Sequence, residues 1–152
     1  MKFITLLSFF LSVQIIWAQS FITPYERSKT EETATYEQCI EFYKSLEKKF
    51  PSIKRKVFGP TDAGLPLEIV MYSADKQFDP INWHKQGKVV ILVNNGIHPG
   101  EPDGIDASMM LLRDIVTNKT KLPSNVVLAI IPVYNIGGSL NRTAYSRVNQ
   151  NG

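Results

Sequence analysis

The sequence has few cysteines, few histidines and no marked excess of either charge. Its single cysteine, Cys39, excludes an internal disulfide. Cys39 shares a helical pattern with Ile40 and Tyr43, which predicts a buried structural thiol rather than a nucleophile. A net charge of +3, spread along the chain, argues against binding to nucleic acid or to a membrane surface.

Long apolar runs are also absent after the first 20 residues, so no later segment is expected to span a bilayer. Residues 1–18 resemble a secretory signal peptide: Lys2 precedes an apolar stretch from Phe3 to Trp17, and Ala18 offers a cleavage edge before Gln19. An uncleaved membrane anchor is the alternative. The prediction is a mature chain of residues 19–152, secreted or periplasmic, without stable membrane insertion.

The apolar pattern predicts alternating helices and strands. A helix is expected from Thr33 to the break at Pro51, followed by an antiparallel hairpin of strands 52–58 and 65–72. A loop over residues 73–87 then leads to a continuous apolar strand, 88–94, of the kind that is buried on both faces. A helix over 103–116 and an apolar strand over 126–133 complete a parallel crossover unit.

The predicted fold class is therefore α/β, with a mixed sheet that has a parallel centre, an antiparallel edge hairpin and helices on both faces. Only two long helices are predicted, whereas a parallel sheet needs cover on both faces. We expect the chain to be an incomplete part of a larger fold. A small complete α/β domain is the alternative.

Two potential metal ligands follow the strand 88–94. His98 and Glu101 are three residues apart in a loop at the carboxyl end of that strand, where α/β proteins bind ligands. Imidazole nitrogen and carboxylate oxygen are both zinc ligands, but a catalytic zinc needs three ligands from the protein. His84, the only other histidine, precedes the strand and is expected at its opposite end. The alternatives are that His98 bonds to the loop backbone and that Glu101 lies in the first turn of the next helix.

Four sequence segments resemble motifs of the zinc metallocarboxypeptidases, the carboxypeptidase A-like peptidases. Residues 96–104, Gly-Ile-His-Pro-Gly-Glu-Pro-Asp-Gly, resemble the family's first zinc motif. Residues 131–138 are similar to its next strand and Asn-x-x-Gly turn, and residues 145–152 to its arginine-bearing stretch. Residues 64–67 resemble its Gly-x-Pro-Leu strand entry. The resemblance covers about residues 33–152.

The resemblance implies a metallocarboxypeptidase that removes C-terminal residues from peptides by means of zinc-activated water. His98 and Glu101 would be the first two zinc ligands, and Arg147 would polarise the scissile carbonyl. Residues 19–152 would form the N-terminal part of an incomplete carboxypeptidase-like catalytic domain. The family's third ligand and its glutamate base have no counterpart in these residues, so we expect the isolated chain to be inactive.

Two other functions are compatible with these motifs. A zinc-dependent deacylase or amidase of the aspartoacylase-like group would use a similar pair of ligands. Pro99-Gly100 and the stretch around Arg147 favour the peptidase. A non-catalytic binding module could keep the fold without the reaction.

Overall fold

The computed structural model describes residues 21–143 and residue 146. Four strands form one mixed sheet in the order β1-β2-β4-β3. They are β1 (Ile53–Pro60), β2 (Pro66–Tyr72), β3 (Val89–Asn94) and β4 (Val126–Ile131). β2 pairs antiparallel with both β1 and β4, and β3 pairs parallel with β4. The predicted mixed sheet with an edge hairpin is confirmed.

Five helices lie in the described part of the chain: α1 (Pro24–Arg27), α2 (Tyr36–Lys49), α3 (Pro80–Lys85), α4 (Asp103–Val116) and α5 (Ile136–Leu140). α2 begins where Thr35 accepts a hydrogen bond from the N–H of Gln38, whose side chain in turn accepts one from the N–H of Thr35. α4 has the predicted bounds and connects the parallel strands β3 and β4.

Successive residues of the central strands point to opposite faces of the sheet, and each face has its own apolar cluster. On one face, Val70 and Ile130 join the buried side chains of α2 and α4. On the other face, Met71 and Ala129 pack with Trp83 of α3. Helices therefore lie on both faces, as predicted.

The interpretation of residues 73–87 as a loop was wrong, since α3 lies within it. Asp79 begins this helix by accepting a hydrogen bond from the N–H of Ile81 at 3.0 Å, and Pro80 occupies the first turn. The short helix is held by Trp83, which is buried under the sheet and donates a hydrogen bond to the carbonyl of Gln77 at 2.7 Å. Tertiary contacts thus stabilise a segment too short to be helical on its own.

The burial of β3 was also predicted wrongly. Within the described residues β3 is an edge strand, and Val89, Val90, Ile91 and Leu92 are between 43% and 59% exposed. No other described element pairs with its free edge. β4, which lies between β2 and β3, is the apolar strand that is buried, with Val127 and Ile130 almost wholly inaccessible.

Cys39 is completely buried in α2, and this burial raises the pKa of its thiol. The prediction of a structural thiol is confirmed. No helix in the described part of the chain is both long and apolar enough to cross a membrane. The proposed signal peptide, residues 1–18, lies outside the described residues.

Candidate metal site at the carboxyl end of the parallel strands

The loop that carries His98 and Glu101 lies where the parallel strands β3 and β4 both end. The two chain segments continue side by side beyond the strands. The N–H of Asn95 donates to the carbonyl of Ile131 at 3.1 Å, and the N–H of Tyr134 donates to the carbonyl of Asn95 at 2.8 Å. This pairing fixes the start of the loop relative to the sheet.

A tight turn brings the two candidate ligands together. The N–H of Glu101 donates to the carbonyl of His98 at 3.1 Å, with Pro99 in the second position of the turn, where its fixed φ is favourable. The turn places His98 Nδ1 3.2 Å from Glu101 Oε1. The two side chains are 51% and 32% exposed, so an ion could reach them from solvent.

The separation of these two atoms suits a shared zinc ion. Ligand distances of about 2.0–2.2 Å and a tetrahedral angle would put the two donor atoms about 3.4 Å apart. The observed 3.2 Å, at which the two side chains also contact each other directly, lies close to that value. The donor types also suit zinc, since one is an imidazole nitrogen and the other a carboxylate oxygen.

The residues that the structure describes contain no group of three or more His, Cys, Asp or Glu side chains able to hold a metal ion. His84 lies in α3, which precedes β3, whereas His98 follows the strand. Six residues at about 3.3 Å each separate these ends by about 20 Å. Within the described residues the candidate site therefore consists of two potential metal ligands, His98 and Glu101. Arg147 lies outside the described residues.

Glu101 precedes α4 rather than lying in its first turn. The helix begins at Asp103 with Pro102 as its N-cap residue, and the first-turn acids are Asp103 and Asp106. Asp106 already accepts hydrogen bonds from Thr33 and from the N–H of Ala34. The alternative in which Glu101 belongs to the first turn of the helix is therefore wrong, although Glu101 lies two residues before the positive end of the helix dipole.

The start of the loop has a backbone conformation and a close packing that favour glycine. Gly96 has φ of +62°, and a Cβ there would lie 3.2 Å from Ile105 Cδ1 and 3.3 Å from Val133 Cγ1. A side chain here would be strained by the positive φ and would crowd both α4 and the segment after β4, so this position favours glycine.

Two asparagines beside the loop were not singled out from the sequence as site residues. Asn95 is buried and donates from Nδ2 to Ser108 Oγ at 2.9 Å. Asn135 donates from Nδ2 to the carbonyl of Ile97 at 3.3 Å. Their positions in the sequence could have indicated this role, since each asparagine follows one of the two parallel strands.

The sequence model of the zinc carboxypeptidase family matches residues 39–151, well over half of the chain. The chain belongs to this family, which confirms the resemblance of its motifs. No curated protein was found to match it.

Solved structures of carboxypeptidases share its fold. One is carboxypeptidase A from Helicoverpa armigera, with a TM-score of 0.62 and 20% identity over 72% of this chain and 26% of that protein. Another is bovine thrombin-activatable fibrinolysis inhibitor in complex with tick carboxypeptidase inhibitor, with a TM-score of 0.57 and 16% identity over 72% of this chain and 33% of that protein. The chain spans about a quarter to a third of the length of these proteins.

Proposed function

We propose that this chain is part of a zinc-dependent metallocarboxypeptidase that removes C-terminal residues from peptides, with His98 and Glu101 as two of its zinc ligands. The observation that carries the proposal is the 3.2 Å approach of their donor atoms at the carboxyl end of β3. Membership of the zinc carboxypeptidase family supports it. The bound ion would supply Lewis-acid activation of water and of the scissile carbonyl.

Arg147 is proposed to polarise the carbonyl of the scissile bond. A guanidinium keeps its charge at all relevant pH values and can donate two hydrogen bonds to a developing oxyanion. We expect Arg147→Ala to lower kcat about a hundredfold or more while zinc stays bound, since loss of one oxyanion donor has that effect in other hydrolases. Measuring kcat together with zinc content checks this role.

The remaining ligand and the general base are proposed to come from polypeptide outside these 152 residues. The two histidines of the sequence lie at opposite ends of β3, and the chain spans only 26% and 33% of two carboxypeptidase-fold proteins. The isolated chain is accordingly proposed to be inactive. Secretion or periplasmic export is proposed from residues 1–18, and a secreted product whose first residue is Gln19 would support it.

Peptide hydrolysis by the natural full-length polypeptide tests the function. We expect release of C-terminal residues that stops on chelation and returns with zinc. His98→Ala and Glu101→Gln should abolish it, whereas His84→Ala, the matched control at the other end of β3, should retain it.

Two other outcomes would overturn the proposal that the protein is a peptidase. Zinc bound at one equivalent without any release of residues would favour a binding module. Cleavage of N-acyl amino acids in place of peptides would favour the deacylase or amidase.

A further inference from the structure

Two asparagines contact the loop between β3 and α4 that carries the candidate ligands. Asn95 directly follows β3 and is 5% exposed, whereas Asn135 follows β4 and is exposed. The two residues thus reach the loop from the ends of neighbouring parallel strands.

Asn95 ties the start of the loop to the helix that follows it. Its Nδ2 donates to Ser108 Oγ in α4 at 2.9 Å, and both groups are buried. A Cβ at Gly104, in the first turn of α4, would lie only 2.7 Å from Asn95 Oδ1. The Asn95 side chain therefore fills the space between the end of β3 and the start of α4. These are the two ends of the loop.

Asn135 holds the same loop at Gly96 and Ile97. Its backbone N–H donates to the carbonyl of Gly96 at 3.0 Å, and its Nδ2 donates to the carbonyl of Ile97, the residue before His98, at 3.3 Å. Its Oδ1 meanwhile accepts from the N–H of Gly138 at 2.9 Å and begins α5. One side chain thus couples the orientation of α5 to the backbone next to His98.

We propose that Asn95 and Asn135 are positioning residues that hold His98 and Glu101 in the geometry that binds the metal ion. The inference rests on the proposed function, in which those two side chains are zinc ligands. Partners behind the ligands raise metal affinity because they fix the ligands before the ion arrives. Here the fixed element is the loop backbone, from Gly96 to the turn at Glu101.

The variant Asn135→Asp separates the two bonds made by this side chain. A carboxylate keeps an oxygen acceptor for the N–H of Gly138, but it loses the donor to the carbonyl of Ile97. Its added negative charge would by itself favour a cation. A weaker zinc affinity would therefore reflect the loss of positioning, since the added charge acts in the opposite direction.

Asn141→Asp is the matched control. Asn141 is also exposed, and its Nδ2 donates to the carbonyl of Gly137 at 2.8 Å. That bond lies at the end of α5 and does not contact the His98 loop. Both variants exchange one amide for one carboxylate and remove one donor to a carbonyl.

Zinc affinity of the natural full-length polypeptide, measured by titration calorimetry with Zn²⁺ alone, is the first readout. We expect Asn135→Asp to raise the zinc dissociation constant about tenfold, the lower end of the effect of removing such partners. Asn141→Asp should leave it within about twofold. Ser108→Ala, which removes the acceptor of Asn95, should act in the same direction as Asn135→Asp while circular dichroism stays native.

Amide exchange at Glu101 is the second readout and needs no metal, because that N–H closes the turn onto the carbonyl of His98. Asn135→Asp should speed exchange there and leave exchange in α2 unchanged. Unchanged exchange at Glu101, or a dissociation constant equal to or below that of the wild type, would overturn the proposal.

Failure of the proposed function would look different. The wild type would then bind zinc no better than His98→Ala. Exchange at Glu101 would still decide whether Asn135 holds the loop.

Discussion

A side chain at Gly138 would come too close to Asn135 and to Pro99, which lies in the loop that carries His98 and Glu101. A Cβ at this position would clash with Pro99 Cγ and would lie 2.7 Å from Asn135 Oδ1. We expect Gly138→Ala to lower the free energy of unfolding by about 1–3 kcal/mol, because the turn at Pro99 must move. Denaturant unfolding measures this effect.

Gly137→Ala is the control in the same short helix. The nearest atom to a Cβ there is 3.7 Å away, at ordinary contact distance. Alanine should be neutral or should stabilise by up to about 1 kcal/mol, since it replaces glycine in a helix. Equal losses in both variants would show that Pro99 does not restrict position 138.

Cys39 is expected to be unreactive in the folded protein. It is wholly inaccessible, and burial raises the pKa of its thiol, so little thiolate forms near neutral pH. At pH 8 a thiol reagent should modify Cys39 only after denaturant is added. Rapid labelling of the native chain would contradict the burial of this face of α2.

At the scale of elements, an ion pair joins the turn after β2 to the start of β3. Lys88 donates to Asp75 Oδ2, and this bond, followed by that from Ser73, lowers the pKa of Asp75 from 3.8 to about 2. A carboxylate whose pKa is lowered by folding stabilises the folded state at pH values above the pKa that it has in the unfolded chain. This contribution should be complete above about pH 4 and lost as the pH falls from 3.8 towards 2.

Asp75→Asn tests this pH dependence. Asparagine keeps an oxygen that can accept from Ser73, but it has no charge to titrate. The variant should be less stable than the wild type at neutral pH, and the difference should shrink between pH 4 and pH 2. Thermal unfolding of both proteins over this pH range measures the difference in stability. A difference that does not change with pH would exclude Asp75 as the source of the pH dependence.

The helices that have both an apolar period and end signals in their own sequence were predicted well. α4 has a full apolar period and an acidic first turn, and its predicted bounds match the structure. α2 begins three residues later than the earliest predicted start, at the capping box of Thr35. α3 and α5 were missed because helices of six and five residues depend on Trp83 and Asn135 for their stability.

At the scale of the whole molecule, α3 covers only part of one face of the sheet within the described residues. β3 exposes Val90 and Leu92 beside the apolar cluster of Met71, Trp83 and Ala129, around a cavity of about 470 Å³. An apolar edge strand without a charged residue lacks the usual protection against association. We expect a chain of residues 19–152 to bind an apolar fluorescent dye.

Leu92→Lys should reduce this dye binding, because it places a charge at the centre of the exposed edge. Leu111→Lys is the control, since Leu111 is an exposed apolar residue of α4. If these residues are part of a larger fold, as expected from the sequence, and the rest of that fold covers β3, the natural full-length polypeptide should bind less dye than residues 19–152. Equal binding by both would argue against that completion.

The sequence by itself determined the order and type of the long elements, the buried thiol and the pairing of His98 with Glu101 in one loop. These depend on local periodicity, on turn residues and on the chain order of strand, loop and helix. The tertiary structure decided which apolar strand is buried, because among the residues it describes β4 lies between two strands and β3 has a neighbour on one side alone. It also decided which polar side chains hold the loop, since Asn95 and Asn135 approach it only once β3 and β4 lie parallel.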